Sequence, residues 1–217
     1  MHADFYQYFQ FLSLLVALIC YRGLKAYSIQ AFVPLIMIAN IAETAGTNYH
    51  AFAGLDNDFI YNLYLLFSTP LRLYLFGKML DLKQNEKSTF LFITILCMLI
   101  LVLNYFFYQG INVFNTISAI LVEIISIIFS CFVLLRMAVQ QNMETNLLQE
   151  PYFWINAASL LFGLMSLVVL GLVPYIRGNH IELFGMSMYS LILAIVNIIL
   201  YSAYTYSFIL CRIQRAR

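Results

Sequence analysis

Five polar side chains interrupt apolar stretches of this sequence, and their types suit ion pairing or the binding of a polar ligand. Arg72 lies within FSTPLRLYLF and Glu123 within ISAILVEIISIIF, while Asn40, Glu43 and Asn197 have similar apolar flanks. Ionisable residues in such surroundings are costly and mark functional sites by default. We therefore predict an intramembrane binding cluster of Arg72, Glu123, Asn197, Glu43 and Asn40, with no catalytic or metal-ligating residue among them.

The composition places these residues in a membrane protein. Hydrophobic residues make up 63% of the 217 residues and charged residues only 10%, with a mean hydropathy of +0.87. Soluble domains usually carry about 25% charged residues, so this chain has too few charges to cover a surface in water. The lipid bilayer is the expected partner, and the net charge of +1 gives no indication of nucleic-acid binding.

Seven apolar segments each approach the length of about 20 residues that a helix needs to cross a bilayer core of about 30 Å. The connections between them are short. The sequence therefore predicts one all-α domain over residues 1–217, a polytopic seven-helix transmembrane bundle. Its helices are expected at about 7–25, 29–49, 58–79, 88–108, 112–136, 153–175 and 183–211.

Lysine and arginine residues fix the expected orientation, because they favour cytoplasmic loops. Arg177 is the one basic residue on the predicted outer side of the bundle. Arg72 lies within the third segment and belongs to neither side. The other side has nine basic residues: Arg22, Lys25, Lys78, Lys83, Lys87, Arg136, Arg212, Arg215 and Arg217. We therefore expect the N-terminus outside and the C-terminus in the cytoplasm.

Small and polar residues recur at helical spacing on several segments, and such faces usually turn inward in a membrane bundle. The fifth segment has Glu123, Ser126 and Ser130 on one face, and the first has a shorter stripe of Gln10, Ser13 and Ala17. The sixth segment has Asn156, Ser159, Gly163 and Ser166. The faces of the fifth and sixth segments are predicted to lie inside the bundle, whereas the plainer first segment is expected nearer its periphery.

Depth along the helices predicts a partner for Arg72. At 1.5 Å per residue, Arg72 lies about 20 Å and Glu123 about 15 Å from the outer surface, a difference that an arginine side chain spans. Asn197 has a similar depth, whereas Glu43 lies about 9 Å from that surface. An ion pair between Arg72 and Glu123 would make both charges tolerable. Two interpretations stay open: a structural clamp between helices, or a ligand, ion or switching site.

Sequence motifs of several enzyme and receptor classes are missing. Residues 183–211 contain no lysine for a retinal Schiff base, the apolar segments contain no cluster of histidines, and no GxSxG, HExxH or P-loop pattern occurs. We therefore expect no enzyme activity and no cofactor. An outer set of possible metal ligands has irregular spacing and is interpreted as solvated loop residues: His2, Asp4, His50, Asp56, Asp58, His180 and Glu182.

Two stretches resemble a recurring membrane module. They are ETAGTNYHAFAGLDNDFIYNLYLLFSTPLRLYLF and EPYFWINAASLLFGLMSLVVLGL. With Glu43, the Tyr61-Asn62-x-Tyr64 motif and Pro151-x-Phe153-Trp154-Ile155-Asn156, the chain resembles the seven-helix N-terminal sensor region of Bacteroidota histidine kinases and their stand-alone relatives. The resemblance covers most of the chain and implies a sensory or signalling role in a bacterial inner membrane.

Three functions follow as hypotheses. The first is an inner-membrane sensor or signalling subunit, which would need a separate protein partner because only a few residues follow the last helix. Its expected contact surfaces are the cytoplasmic loops at Lys78–Lys87 and Met137–Glu150. The second is a small-molecule or ion-coupled transporter with Arg72 and Glu123 as its midplane site. The third is a structural subunit of a larger membrane complex. The sequence favours no ligand class.

Overall fold

The computed structural model describes residues 5–53, 57–140, 146–178, 182–183 and 186–216, and these ranges are almost entirely helical. Within them the chain forms eight α-helices: α1 (Phe5–Ile19), α2 (Tyr21–Ala26), α3 (Phe32–Ala53), α4 (Asp58–Met79), α5 (Gln84–Leu103), α6 (Thr116–Gln140), α7 (Pro151–Gly178) and α8 (Met188–Ala216). The predicted all-α class is confirmed.

Three short elements accompany these helices. A π-helix (Asn104–Tyr108) extends α5, and a 3-10 turn (Leu147–Gln149) precedes α7. The strands β1 (Glu182–Leu183) and β2 (Met186–Ser187) form an antiparallel hairpin before α8, with Glu182 opposite Ser187 and Leu183 opposite Met186.

Among the described residues, four helical stretches are long and apolar enough to cross a membrane, which indicates a membrane protein. They are Gln84–Tyr108, Thr116–Val139, Pro151–Leu172 and Met188–Arg215, and α1 is a shorter apolar helix. The helices α3 and α4 have 22 residues each, but polar side chains along them lower their hydropathy. These two helices contain three of the five residues of the predicted binding cluster: Asn40, Glu43 and Arg72.

Several helix boundaries differ from the predicted segments. The first segment is divided at Cys20, which separates α1 from α2. The fifth predicted segment corresponds to α6, which begins at Thr116 rather than at residue 112. The side chain of Asn62 binds the backbone of residues 111–115 and holds this stretch outside the helix. The last helix begins at Met188 and continues to Ala216, beyond the predicted end at residue 211.

Local sequence signals explain other helix starts. The helix α7 begins with Pro151, whose missing N–H costs nothing in the first turn and whose ring fixes a helical φ. At the start of α5, the backbone N–H of Lys83 donates to Glu86 Oε2 at 2.8 Å. This bond satisfies an N–H group that has no acceptor within the helix itself.

The chain forms two compact units, each with its own helix packing. The first comprises Met1–Tyr27 and Glu123–Arg217, and α8 packs in it against α7, α1 and α2. The second comprises Ser28–Val122, where α3 packs mainly against α4 and α4 also packs against α5. The single domain over residues 1–217 stays a prediction.

Small and polar residues lie on buried helix faces, as expected for a bundle interior. The buried residues of α1 are Gln10, Ser13 and Ala17, which form the predicted stripe. Ser126 and Ser130 are buried on α6, and Asn156, Gly163 and Ser166 are buried on α7. Interior polar faces could therefore be identified from helical spacing.

Gly163 allows α6 and α7 to approach closely within the first unit. A Cβ atom at this position would lie 2.8 Å from Ile127 Cγ1 and 3.3 Å from Glu123 Oε2. No real Cβ atom tolerates the shorter of these distances, so a larger residue would displace the side chains of α6.

We predict that Gly163→Ala lowers the unfolding temperature in detergent, because overpacking typically costs about 1–3 kcal/mol. Gly171→Ala is the matched control on the same helix, since a Cβ there would meet no described atom within 4 Å. Alanine is a better helix former than glycine by about 1 kcal/mol, so the control is expected to be neutral or stabilising. Equal effects of the two substitutions would contradict the close packing at Gly163.

Candidate functional site

Arg72 is held by a tyrosine of its own helix. Its Nη2 atom donates a hydrogen bond to the hydroxyl oxygen of Tyr64 at 2.9 Å, and its guanidinium carbon lies 6.0 Å from the centre of the Tyr64 ring. Tyr64 precedes Arg72 by eight residues, about 12 Å along α4, so the long side chain extends towards the N-terminus of the helix. Pro70 lies between them and removes one backbone hydrogen bond of α4.

Glu43 connects α3 to α4 through a second tyrosine. The Tyr61 hydroxyl donates to Glu43 Oε2 at 3.2 Å. Gly46 makes room for this contact, because the Tyr61 hydroxyl lies 3.1 Å from the position that a Cβ atom of Gly46 would occupy. Asn57, just before α4, also donates from Nδ2 to the carbonyl oxygen of Gly46 at 3.3 Å.

The remaining predicted site residues have local contacts. Asn40 is buried and donates from Nδ2 to the Ile36 carbonyl at 2.9 Å, one turn earlier on α3. Asn197 donates to the Leu193 carbonyl of α8 at 2.9 Å. Side-chain bonds of this kind satisfy the amide hydrogen without linking two helices.

The five predicted site residues fall into two groups. Asn40, Glu43 and Arg72 lie on α3 and α4 of the second unit, whereas Glu123 and Asn197 lie on α6 and α8 of the first. Within the first unit, the Glu123 carboxylate lies beside Gly163 of α7. The ion pair between Arg72 and Glu123 stays a prediction.

A buried asparagine network, absent from the predicted site, organises the second unit. Asn62 of α4 donates from Nδ2 to the carbonyl oxygens of Ile111 and Val113, at 3.0 and 2.8 Å. Its Oδ1 atom accepts the backbone N–H of Asn115 at 2.9 Å. One amide therefore fixes the stretch before α6 through three backbone groups.

Asn104, at the start of the π-helix, continues this network. Its Nδ2 atom lies within hydrogen-bond distance of three acceptors: Gln109 Oε1 at 3.0 Å, Asn115 Oδ1 at 3.0 Å and Ser118 Oγ at 2.7 Å. An amide has two hydrogens, so these acceptors share its donor capacity. Asn62, Asn104 and Asn115 all lie near predicted segment ends on the outer side, a sequence signal that could have indicated the network.

A second missed cluster joins three parts of the first unit at the predicted inner end. Tyr27 donates from its hydroxyl to Gln214 Oε1, and Gln214 Nε2 donates to the Gln149 carbonyl at 2.6 Å. Tyr152 donates to the Tyr27 carbonyl at 2.5 Å. Burial raises the pKa of Tyr27, and the neighbouring Cys211 and Glu150 raise it further, so this hydroxyl keeps the proton that it donates.

The predicted outer ligand set lies largely outside the described residues. This applies to His2, Asp4, Asp56 and His180, and to the side chain of His50. Across the described residues, no group of three or more His, Cys, Asp or Glu residues could hold a metal ion.

Comparison of the chain with protein-family models, curated proteins and solved structures finds no match. The likeness to histidine-kinase sensor regions therefore stays an expectation from the sequence motifs. Two of its residues, Tyr61 and Tyr64, are the partners of Glu43 and Arg72.

We predict that Asn62→Ala strongly destabilises the protein. The substitution leaves the Ile111 and Val113 carbonyls and the Asn115 N–H without this partner, and each unsatisfied buried group costs about 1–3 kcal/mol. Asn197→Ala is the matched control, because it removes only a bond to the backbone of its own helix. Hydrogen exchange over residues 109–115 and the unfolding temperature measure the effect. Similar losses in both variants would show that the network has no special role.

We also predict that Arg72 and Glu123 are energetically coupled. Breaking one side of a buried ion pair typically costs about 3–5 kcal/mol, whereas replacing both partners is much milder. Arg72→Met should therefore destabilise the bundle in detergent, and adding Glu123→Met should recover part of the loss. A parallel cycle with Tyr64→Phe measures the observed Tyr64 bond. Additive losses in the Arg72 and Glu123 cycle would exclude their interaction.

Proposed function

We propose that this chain is a sensor or signalling subunit of a bacterial inner membrane, acts through a separate protein partner, and crosses the membrane seven times. The length of α3 and α4 supports the seven crossings, since 22 residues extend about 33 Å. The helix α1 adds about 22 Å and is followed directly by α2. The asymmetry of lysine and arginine supports an outer N-terminus and a cytoplasmic C-terminus.

The observation that carries the signalling proposal is the arrangement of Glu43 and Arg72. Both side chains are half-buried within one helix pair, and each is hydrogen-bonded to a tyrosine hydroxyl of α4. A ligand that competes for either hydroxyl would change a bond within α4 or between α3 and α4. A sensor with two conformations needs a ligand contact of this kind, which differs in strength between the two conformations.

The continuity of α3 and α4 favours a sensor over a transporter. Transport sites typically use discontinuous helices whose free backbone groups bind the substrate or ion. Among the described residues, α3 is helical through Asn40 and Glu43, and α4 is helical through Arg72 despite Pro70. A role as a structural subunit would instead require that Glu43 and Arg72 only stabilise the bundle.

We predict that the inner end of α6 contacts a specific cytoplasmic protein. A photoreactive amino acid at Val139, which is 84% exposed, should form a protein adduct in cells. The matched position is Phe107, which is 82% exposed and lies in the π-helix that extends α5, at its predicted outer end. It should form no adduct with a cytoplasmic protein.

The signalling role predicts that site variants change this adduct. Glu43→Gln and Arg72→Met should each change the yield of the protein adduct at Val139. The comparison uses variants whose abundance and unfolding temperature show that the protein is folded. An unchanged adduct in both folded variants would contradict signalling through these residues. Substrate flux into proteoliposomes that depends on Arg72 would favour the transporter, and adducts with cytoplasmic proteins at Phe107 would reverse the orientation.

A further inference from the structure

Four basic side chains are gathered where α2 packs against the end of α8. Arg22 and Lys25 lie on α2, and Arg212 and Arg215 lie on α8; we call these four residues the inner basic patch. All four are exposed. Gly23 brings the two helices together, because a Cβ atom there would lie 2.9 Å from the backbone nitrogen of Arg212.

The described residues leave most of the charge of the inner basic patch without a compensating acidic group. Among the described residues, Arg22, Lys25 and Arg215 form no ion pair. Glu150 is the acidic residue whose charge acts on neighbouring Tyr27 and Cys211. Among the described residues, these four cations beside one carboxylate form a positive surface that favours an anionic ligand.

Exposed aliphatic side chains lie next to these cations in the sequence, at the end of α1 and on α8. Leu18 and Ile19 precede Arg22 at the end of α1 and are 52% and 67% exposed. Ile209 and Ile213 lie beside Arg212 on α8 and are 40% and 46% exposed. The surface therefore changes from aliphatic to basic at the end of the candidate span Met188–Arg215.

We propose that the inner basic patch binds the headgroup phosphate of an anionic phospholipid, whose acyl chains lie along Leu18 and Ile209. Basic pockets between helices on the cytoplasmic side are suited to anionic lipid headgroups. Arginine adds paired N–H donors that match phosphate oxygens. The adjoining aliphatic surface favours a lipid over an acidic protein segment, since a soluble acidic segment would leave it uncovered.

The test compares lipid binding by matched double variants of the full chain. Native mass spectrometry of the detergent-purified protein would measure bound phosphatidylglycerol, with phosphatidylcholine as the neutral lipid. Arg22→Gln with Lys25→Gln should weaken phosphatidylglycerol binding about thirtyfold, given the typical contribution of each basic residue at an anionic surface. The control is Lys83→Gln with Lys87→Gln, which removes the same charge from the second unit.

The control variant should keep wild-type binding, and inorganic phosphate should not compete with the lipid. Equal losses in both variants, or equal binding of the two lipids, would overturn the proposal. Competition by inorganic phosphate alone would assign the patch to a free anion. If the variant Arg22→Gln with Lys25→Gln keeps wild-type lipid binding but loses the Val139 adduct, the inner basic patch binds a protein partner instead. Arg212→Gln with Arg215→Gln tests the α8 side if the α2 variant does not fold, and it should show the same loss.

Discussion

A polar side chain in an apolar helix bundle must find a hydrogen-bond partner, because a buried unpaired donor or acceptor is costly. The paired side chains of the described residues meet this constraint in three ways, whereas the buried side chains of Gln10, Ser13, Ser68 and Ser130 have no hydrogen-bond partner among those residues. Several side chains bond to a carbonyl one turn earlier on their own helix: Asn40, Thr69, Thr94, Asn156, Asn197 and Thr205. Tyrosine hydroxyls bind Glu43 and Arg72, and Asn62 binds the backbone of a loop.

These three solutions differ in what they do to the fold. A bond to the same helix satisfies a donor but leaves the helix free to move against its neighbours. The Tyr61 bond to Glu43 joins two helices through side chains, so it can be exchanged for another contact at moderate cost. The Asn62 bonds are the most constraining, because a single side chain fixes three backbone groups and sets where α6 begins. Rigid and exchangeable polar contacts therefore occur together in the second unit.

Apolar runs of the sequence predicted the helices well, and helical spacing identified the buried faces of α1 and α7. The boundary at Thr116 was not predictable in this way, because it depends on contacts with Asn62, which is distant in sequence. The side-chain partner of Arg72 within α4 was not predictable for the same reason. Depth along a helix suggested Glu123 for Arg72, whereas the bond to Tyr64 depends on the direction of a long side chain along α4. Composition can locate a costly charge, but side-chain geometry decides its contacts.

Gly163 shows how close packing and charge combine within the first unit. Its missing side chain leaves room for the Glu123 carboxylate beside α7, so the position of this acid depends on a residue that has no polar group. At Gly46 the same device makes room for the Tyr61 hydroxyl that binds Glu43. Both acids of the predicted cluster therefore owe part of their placement to a helical glycine. A glycine within a helix is about 1 kcal/mol less favourable than alanine, so each of these glycines lowers helix stability while it leaves space for a polar group. That exchange is expected where a polar contact has a role beyond stabilising the fold.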